Sequence, residues 1–295
     1  MNLKRWTWLL ALLAIIGLVP STAEASHFRY GTLNWQPTGV PNEVKVNFRI
    51  GFRRARVPSD QQYYTNPLGG ETFSGPDGYP VTGDVFYDMI GGTFLAFDVG
   101  VGADVTGILP FRVTSYSVAE DWFVAEMIDP DDPLLQTVGL KHRYTGSGPF
   151  TILAPNGNRI GNLNNRPGLQ YHLSTTVDVQ SGNSSPVATQ VPIIVAVDQG
   201  ATATFPVPAV DSDLDYLQWR FASDFEAIGK GSLIPPPNTY PPNTPSGTNG
   251  APADMSINPN TGIVTWNTLG KDTENFYTVQ FIVEDWTAPP AQGGY

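Results

Sequence analysis

The stretch Glu43-Val44-Lys45-Val46-Asn47-Phe48-Arg49-Ile50 alternates polar and apolar residues without a break. A period of two puts Val44, Val46, Phe48 and Ile50 on one face of an extended chain, the pattern of a half-buried antiparallel strand. On either side the same texture recurs in short pieces. Tyr30 to Trp35, Val81 to Tyr87, Thr93 to Phe97, Phe111 to Val118, Trp122 to Met127, Phe150 to Leu153 and Leu169 to Val179 are rich in β-branched and aromatic residues. Each is bounded by Gly, Pro, Asn or Asp, so each reads as a strand. The 30 Gly and 27 Pro are scattered throughout and leave almost no sustained helical period. The only helix candidates are short, around Asp224 to Ile228 and Pro133 to Val138. Many short strands separated by turn signals predict an all-β chain built from antiparallel β-sandwiches.

Gln180-Ser181-Gly182-Asn183-Ser184-Ser185-Pro186 is the best boundary, being polar, Gly/Ser-rich and closed by Pro. It predicts two tandem sandwich domains, 26–182 and 183–295. Asn183-Ser184-Ser185 also matches the N-glycosylation acceptor, which matters only in a eukaryotic host. The second domain is predicted to hold strands at Ile193 to Val197, Thr202 to Val207, Tyr216 to Phe221, Met255 to Ile257, Ile263 to Trp266 and Tyr277 to Val283. Asn258-Pro259-Asn260-Thr261-Gly262 is a tight-turn signal between two of them. Ser232 to Ala253, dense in Pro, Asn, Thr and Gly, reads as a long extended insertion.

Residues 1–25 read as a signal peptide. Lys4 and Arg5 form a charged start, Trp6 to Val19 an apolar run, and Ala23-Glu24-Ala25 a cleavage pattern before Ser26. The run is shorter than the ~20 residues a bilayer span needs. No later segment is long or apolar enough, so the expectation is an exported, extracellular or cell-surface chain without a transmembrane segment. Beyond residue 25 there are 14 basic and 26 acidic residues, a net charge of −12. That balance argues against nucleic acid or an anionic membrane as partner and suits solubility or cation binding. Cysteine is absent, which excludes disulfides, Fe–S ligation and thiol catalysis.

Asp211-Ser212-Asp213-Leu214-Asp215 puts three carboxylates on every second residue. Like charges about 4 Å apart cost roughly 1 kcal/mol each in water and more where solvent is partly excluded. Two readings stay open: a solvated acidic turn, or oxygen donors for a hard cation such as Ca2+. Asp285, at the end of the last strand, is a plausible fourth donor. Glu284 should face away by alternation, and Asp198 could approach from the linker side.

From Asn183 onward the chain resembles the cadherin-like and Ig-like repeats of surface proteins. The resemblance rests on Asn183 to Pro186, on Ala209 to Asp215, on Ser256-Ile257-Asn258-Pro259-Asn260-Thr261-Gly262-Ile263-Val264-Thr265-Trp266, and on Gln280 to Asp285. It implies a Ca2+ site on Asp211, Asp213, Asp215 and Asp285. Such turns usually carry Gly where this chain has Leu214. The resemblance also implies a further strand after Tyr295, whose lack would leave an open sheet edge for self-association. The first half is similar to an uncharacterised extracellular family, through Ser26-His27-Phe28-Arg29-Tyr30-Gly31, Val118-Ala119-Glu120-Asp121-Trp122 and Gly148-Pro149-Phe150-Thr151. Animal members carry cysteines, so their disulfide pattern does not transfer.

Further candidates are less specific. Asp129, Asp131 and Asp132 form a second acidic loop, stiffened by Pro130 and Pro133, but a solvated turn is the plainer explanation because the sequence places no further donor nearby. Glu120 and Asp121 beside Trp122 could form a ligand or carbohydrate site, with Glu126 as a further carboxylate and Trp35, Tyr63, Tyr64 and Tyr87 as a stacking platform. Core aromatics on an ordinary strand are the plainer explanation. His27, His142 and His172 show no close ligand spacing, and no G-x-S-x-G, H-E-x-x-H or P-loop occurs. The function expected is therefore a non-catalytic binding or structural module, its partner an extracellular protein or glycan. A carbohydrate-binding or carbohydrate-active first domain is the alternative.

Overall fold

The alternating stretch does build an interior strand of a sheet. The computed structural model describes residues 28–89, 95–97, 104–156, 159–165, 171–189, 194–223, 226–227, 252, 254–271, 273–274 and 276–287. The signal segment, the Ser232 to Ala253 insertion apart from Pro252, and Tyr295 lie outside the described residues. Strand β1 (Phe28–Pro37) leads into β2 (Glu43–Arg53). In β2, Val44, Val46, Phe48, Ile50 and Phe52 are buried, while Glu43, Lys45, Asn47 and Arg49 are only half-buried.

The strands that follow are β3 (Tyr64–Thr65), β4 (Val85–Asp88), β5 (Ala96–Phe97), β6 (Asp104–Val105), β7 (Pro110–Ser117) and β8 (Trp122–Met127). After them come β9 (Leu140–Arg143), β10 (Phe150–Asn156) and β11 (Tyr171–Val177). One antiparallel sheet runs β1-β2-β8-β7-β4-β3, with β9 also paired to β2, and a second runs β11-β10-β5-β6. Their facing sides share one core that joins Val46, Phe48 and Phe111 of the first sheet to Phe97, Ile152 and Val177 of the second. Phe86 lies at its centre, within ring-packing distance of Phe52, Tyr64, Phe73, Phe111 and Phe123. This is the sandwich the period-two pattern predicts.

The second half carries β12 (Val187–Ala188), β13 (Thr202–Pro206), β14 (Ala209–Val210), β15 (Tyr216–Phe221), β16 (Met255–Ile257), β17 (Ile263–Asn267) and β18 (Phe281–Trp286). They pair antiparallel as β12-β14, β13-β17-β16 and β15-β18. Val207, Trp219, Phe221, Met255, Ile257, Val264 and Trp266 form a separate core cluster. The Asn258–Gly262 turn is built as expected: Asn258 Oδ1 accepts the N–H groups of Asn260 and Thr261. Gly262 has φ +65°, and a Cβ there would come within 2.8 Å of the Trp219 ring. Only glycine fits both demands.

Several elements depart from expectation for local reasons. Residues 81–84 form a turn, because Asp84 accepts the N–H groups of Ser74 and Val81, and β4 starts only at Val85. Pro133 to Val138 is no helix. Asp132 captures the N–H groups of Leu134, Gln136 and Thr137, and Leu135 sits at φ +50°. The strand expected at Ile193 to Val197 does not form over 194–197. The last strand begins at Phe281, later than expected. The preceding residues bond instead to the first half: Phe276 N–H to Asn162 O, and Thr278 N–H to Asn165 Oδ1.

That last contact is one of several that tie the halves together. Arg159 donates to Ala227 O at 2.8 Å, Gln280 Nε2 donates to His172 O at 2.8 Å, and Arg29 lies over the Phe276 ring at 5.2 Å. Between the halves is a cavity of about 510 Å³, walled mainly by apolar side chains such as Phe28, Leu173, Val207, Trp266 and Phe281.

Candidate functional site

The acidic turn caps the second half at the point where it meets the linker. Asp211 Oδ1 accepts the backbone N–H groups of Asp213 at 2.8 Å and Asp215 at 3.1 Å, which folds the turn around that carboxylate. Leu214, at its tip, has φ +65° and is 89 % exposed. Leu214 thus keeps a glycine-like backbone despite its side chain. Asp213 Oδ2 accepts the Ser184 N–H at 2.7 Å, and Asp285 Oδ2 accepts the Asn183 amide. Asp211 Oδ2 is enclosed and has no hydrogen-bond partner.

Asp211, Asp215 and Asp285 feel one another. Burial pushes the Asp285 carboxyl above the usual range; the Asn183 amide pulls it down, and the charges of Asp211 and Asp215 push it up again. Among the described residues, no group of three or more His, Cys, Asp or Glu side chains is arranged to hold a metal ion. Glu284 faces the other way, as alternation requires, and pairs with Arg220 at 2.7 Å. Asp198 lies before β13, where its carbonyl accepts the Thr268 hydroxyl.

Asn183 to Ser185 is a staple, and the sequence hid this by looking like an ordinary Gly/Ser linker. On one side it holds Asp285 and Asp213. On the other, Ser185 Oγ accepts the Trp35 N–H at 2.7 Å and the Ser185 N–H donates to Trp35 O at 3.0 Å. Trp35 is itself anchored, its indole N–H donating to Thr176 O at 2.7 Å. Three successive residues therefore connect β1 of the first sheet to the carboxylates of the second half. The Asn183 amide is committed to Asp285.

The other candidates have local tasks. Asp132 takes four donors from its own loop, the fourth being the Thr137 hydroxyl, and these hold its pKa down at about 2. Asp129 accepts the Asp131 N–H at 3.0 Å. Glu120 accepts the Trp122 indole N–H at 2.7 Å. Asp121, at φ +56° in the turn between β7 and β8, accepts Arg53 at 2.8 Å and the Ala55 N–H at 2.5 Å, with Arg29 at 3.4 Å. Trp122 is only 7 % exposed. The stacking platform needs correcting too: Trp35 and Tyr64 are core residues, and of the four aromatics only Tyr63 is exposed. His142 stacks on Phe97 with ring centres 3.8 Å apart, and His172 is buried on β11. His27 lies outside the described residues.

Comparison with known proteins gives a consistent picture. Residues 29–180, just over half of the chain, match the family described as Integrin beta-like protein A-E, N-terminal. Integrin beta-like protein A of Dictyostelium discoideum is 26% identical over 281 residues, covering 89% of this chain and 11% of the relative. Integrin beta-like proteins C and B of the same organism are 26% and 25% identical over 180 and 177 residues, 59% and 58% of this chain. The chain thus spans about a tenth of the length of the curated relatives it matches. No solved structure matches it.

Proposed function

The chain belongs to the integrin beta-like protein A–E N-terminal family, and we propose that it acts outside the cell as a non-catalytic adhesion or assembly module. The observation that carries this reading is the staple. A hydrogen-bonded linker fixed to both halves suits a part that transmits force or presents a surface. The names of the relatives point the same way. The alternative, a carbohydrate-active first half, loses support because Glu120 and Asp121 are occupied in holding one hairpin and its neighbours.

The second half, with its resemblance to cadherin-like and Ig-like repeats, takes Ca2+ at Asp211, Asp213, Asp215 and Asp285 in this proposal. Support comes from the all-oxygen donor set, the enclosed and unpartnered Asp211 Oδ2, and Asp285, raised first by burial and further by the charges of Asp211 and Asp215. The carboxylates now lean on Ser184 and Asn183, so binding would exchange those partners for the ion. Beads coated with the chain test the adhesive role. Adhesion to cells above an inert-protein control, unchanged by Glu120→Gln, is expected. Glycan hydrolysis lost in Glu120→Gln would overturn the reading in favour of an enzyme.

A further inference from the structure

An acidic chain carries six of its cations on one sheet face. Alternation sends Lys45, Arg49 and Arg53 of β2 to the side opposite the core, and the register places Lys141 and Arg143 of β9 and Arg112 of β7 on that same side. Six of the 14 Lys and Arg beyond residue 25 therefore share this face, while only Glu43 and Glu126 bring negative charge to it from the same strands. Along β2 the three cations recur every fourth residue, about 13 Å apart.

Part of this charge is already used. Arg49 approaches Glu126 at 3.8 Å, Arg53 bonds Asp121, and Arg112 donates to Leu135 O. The end where β9 joins β2 is different. Lys45, Lys141 and Arg143 form no ion pair or side-chain hydrogen bond among the described residues, and Lys141 and Arg143 are exposed. Lys45 and Lys141 stand directly opposite each other across the two strands. Like charges in that register destabilise a sheet unless an anion lies between them. Beside them on the same face are the exposed amide of Gln36 and the bonded pair Asn47 Nδ2 to Asn34 Oδ1 at 3.1 Å.

We propose that this face binds a linear acidic polysaccharide. The cation row, set at even spacing along β2, matches repeating carboxylate or sulfate groups. The neighbouring amides supply donors and acceptors for sugar hydroxyls. A long nucleic acid or an anionic membrane would extend past the patch onto the acidic remainder of the chain, whereas a single polysaccharide strand can follow the row alone. The choice of a polysaccharide rests on the extracellular reading above; the cationic face does not depend on the calcium proposal.

The test measures binding of the protein to immobilised heparin, with neutral dextran as control, at about 0.05 M salt and in both Ca2+ and chelator. The wild type should bind heparin and be released by rising salt, as counterion release requires. The combined Lys45→Ala, Lys141→Ala and Arg143→Ala variant should bind about tenfold more weakly, and Lys271→Ala, on the other half, should bind as the wild type does. Exposed Lys141→Glu alone should also weaken binding, which keeps the test valid if the triple variant folds poorly. Absence of wild-type binding, full binding by the folded variants, or capture by polyaspartate but not by heparin would each overturn the proposal. None of these outcomes bears on calcium-dependent melting, so the two proposals fail separately.

Discussion

Leu214 shows how one residue can depart from a pattern and still obey its geometry. A non-glycine residue in the left-handed region costs about 1–2 kcal/mol, and its fully extended exposure offers no packing in return. Leu214→Gly should therefore stabilise the protein by up to about 1 kcal/mol, less the extra chain entropy glycine gives the unfolded state. Thermal melting checks this, and a lower melting temperature would show that Leu214 is supported by contacts its exposure does not suggest. Asp285 carries the opposite kind of strain. Its raised pKa means that its ionised form is disfavoured in the fold, so its penalty applies above that pKa and is relieved as pH falls through it. A bound cation would remove the same penalty at neutral pH.

Among the elements, β2 was legible because its two faces differ in every residue, and β8 and β15 because their apolar runs end at clear turn residues. Strand β9 was not legible: Leu140-Lys141-His142-Arg143 has one aliphatic side chain, and on its inner side His142, opposite Val44, stacks on Phe97. The carboxylates of the acidic turn were named from spacing alone, yet their partners Asn183 and Ser184 were hidden in a segment whose composition resembles a loose connector. Tertiary hydrogen bonds, which leave no periodic trace, decide such segments. The staple yields a direct prediction. Ser185→Ala leaves the buried Trp35 N–H without its acceptor, which should cost about 1–3 kcal/mol and lower the melting temperature by several degrees. A melting temperature within about 1 °C of wild type would mean that Ser185 contributes little to the junction.

At the level of the whole molecule, the two sheets of the first half and the three small sheets of the second, each group with its own core, meet along contacts from Arg159, Asn165 and Gln280 and through the Asn183–Ser185 staple. The acidic turn sits where that staple enters the second half, so an ion there would stiffen the junction as well as the turn. Net charge alone concealed the other feature of scale, a cationic face on an acidic chain. Whether the acidic turn takes Ca2+, as proposed above, is read from thermal melting in about 1 mM Ca2+ against chelator. With a dissociation constant of about 0.1 mM, binding would stabilise the fold by roughly 1.4 kcal/mol. For a chain of this size that predicts a rise of about 3 °C in Ca2+, lost in Asp213→Asn with Asp215→Asn. An identical melting temperature in Ca2+ and in chelator would rule out a stabilising cation site in the acidic turn.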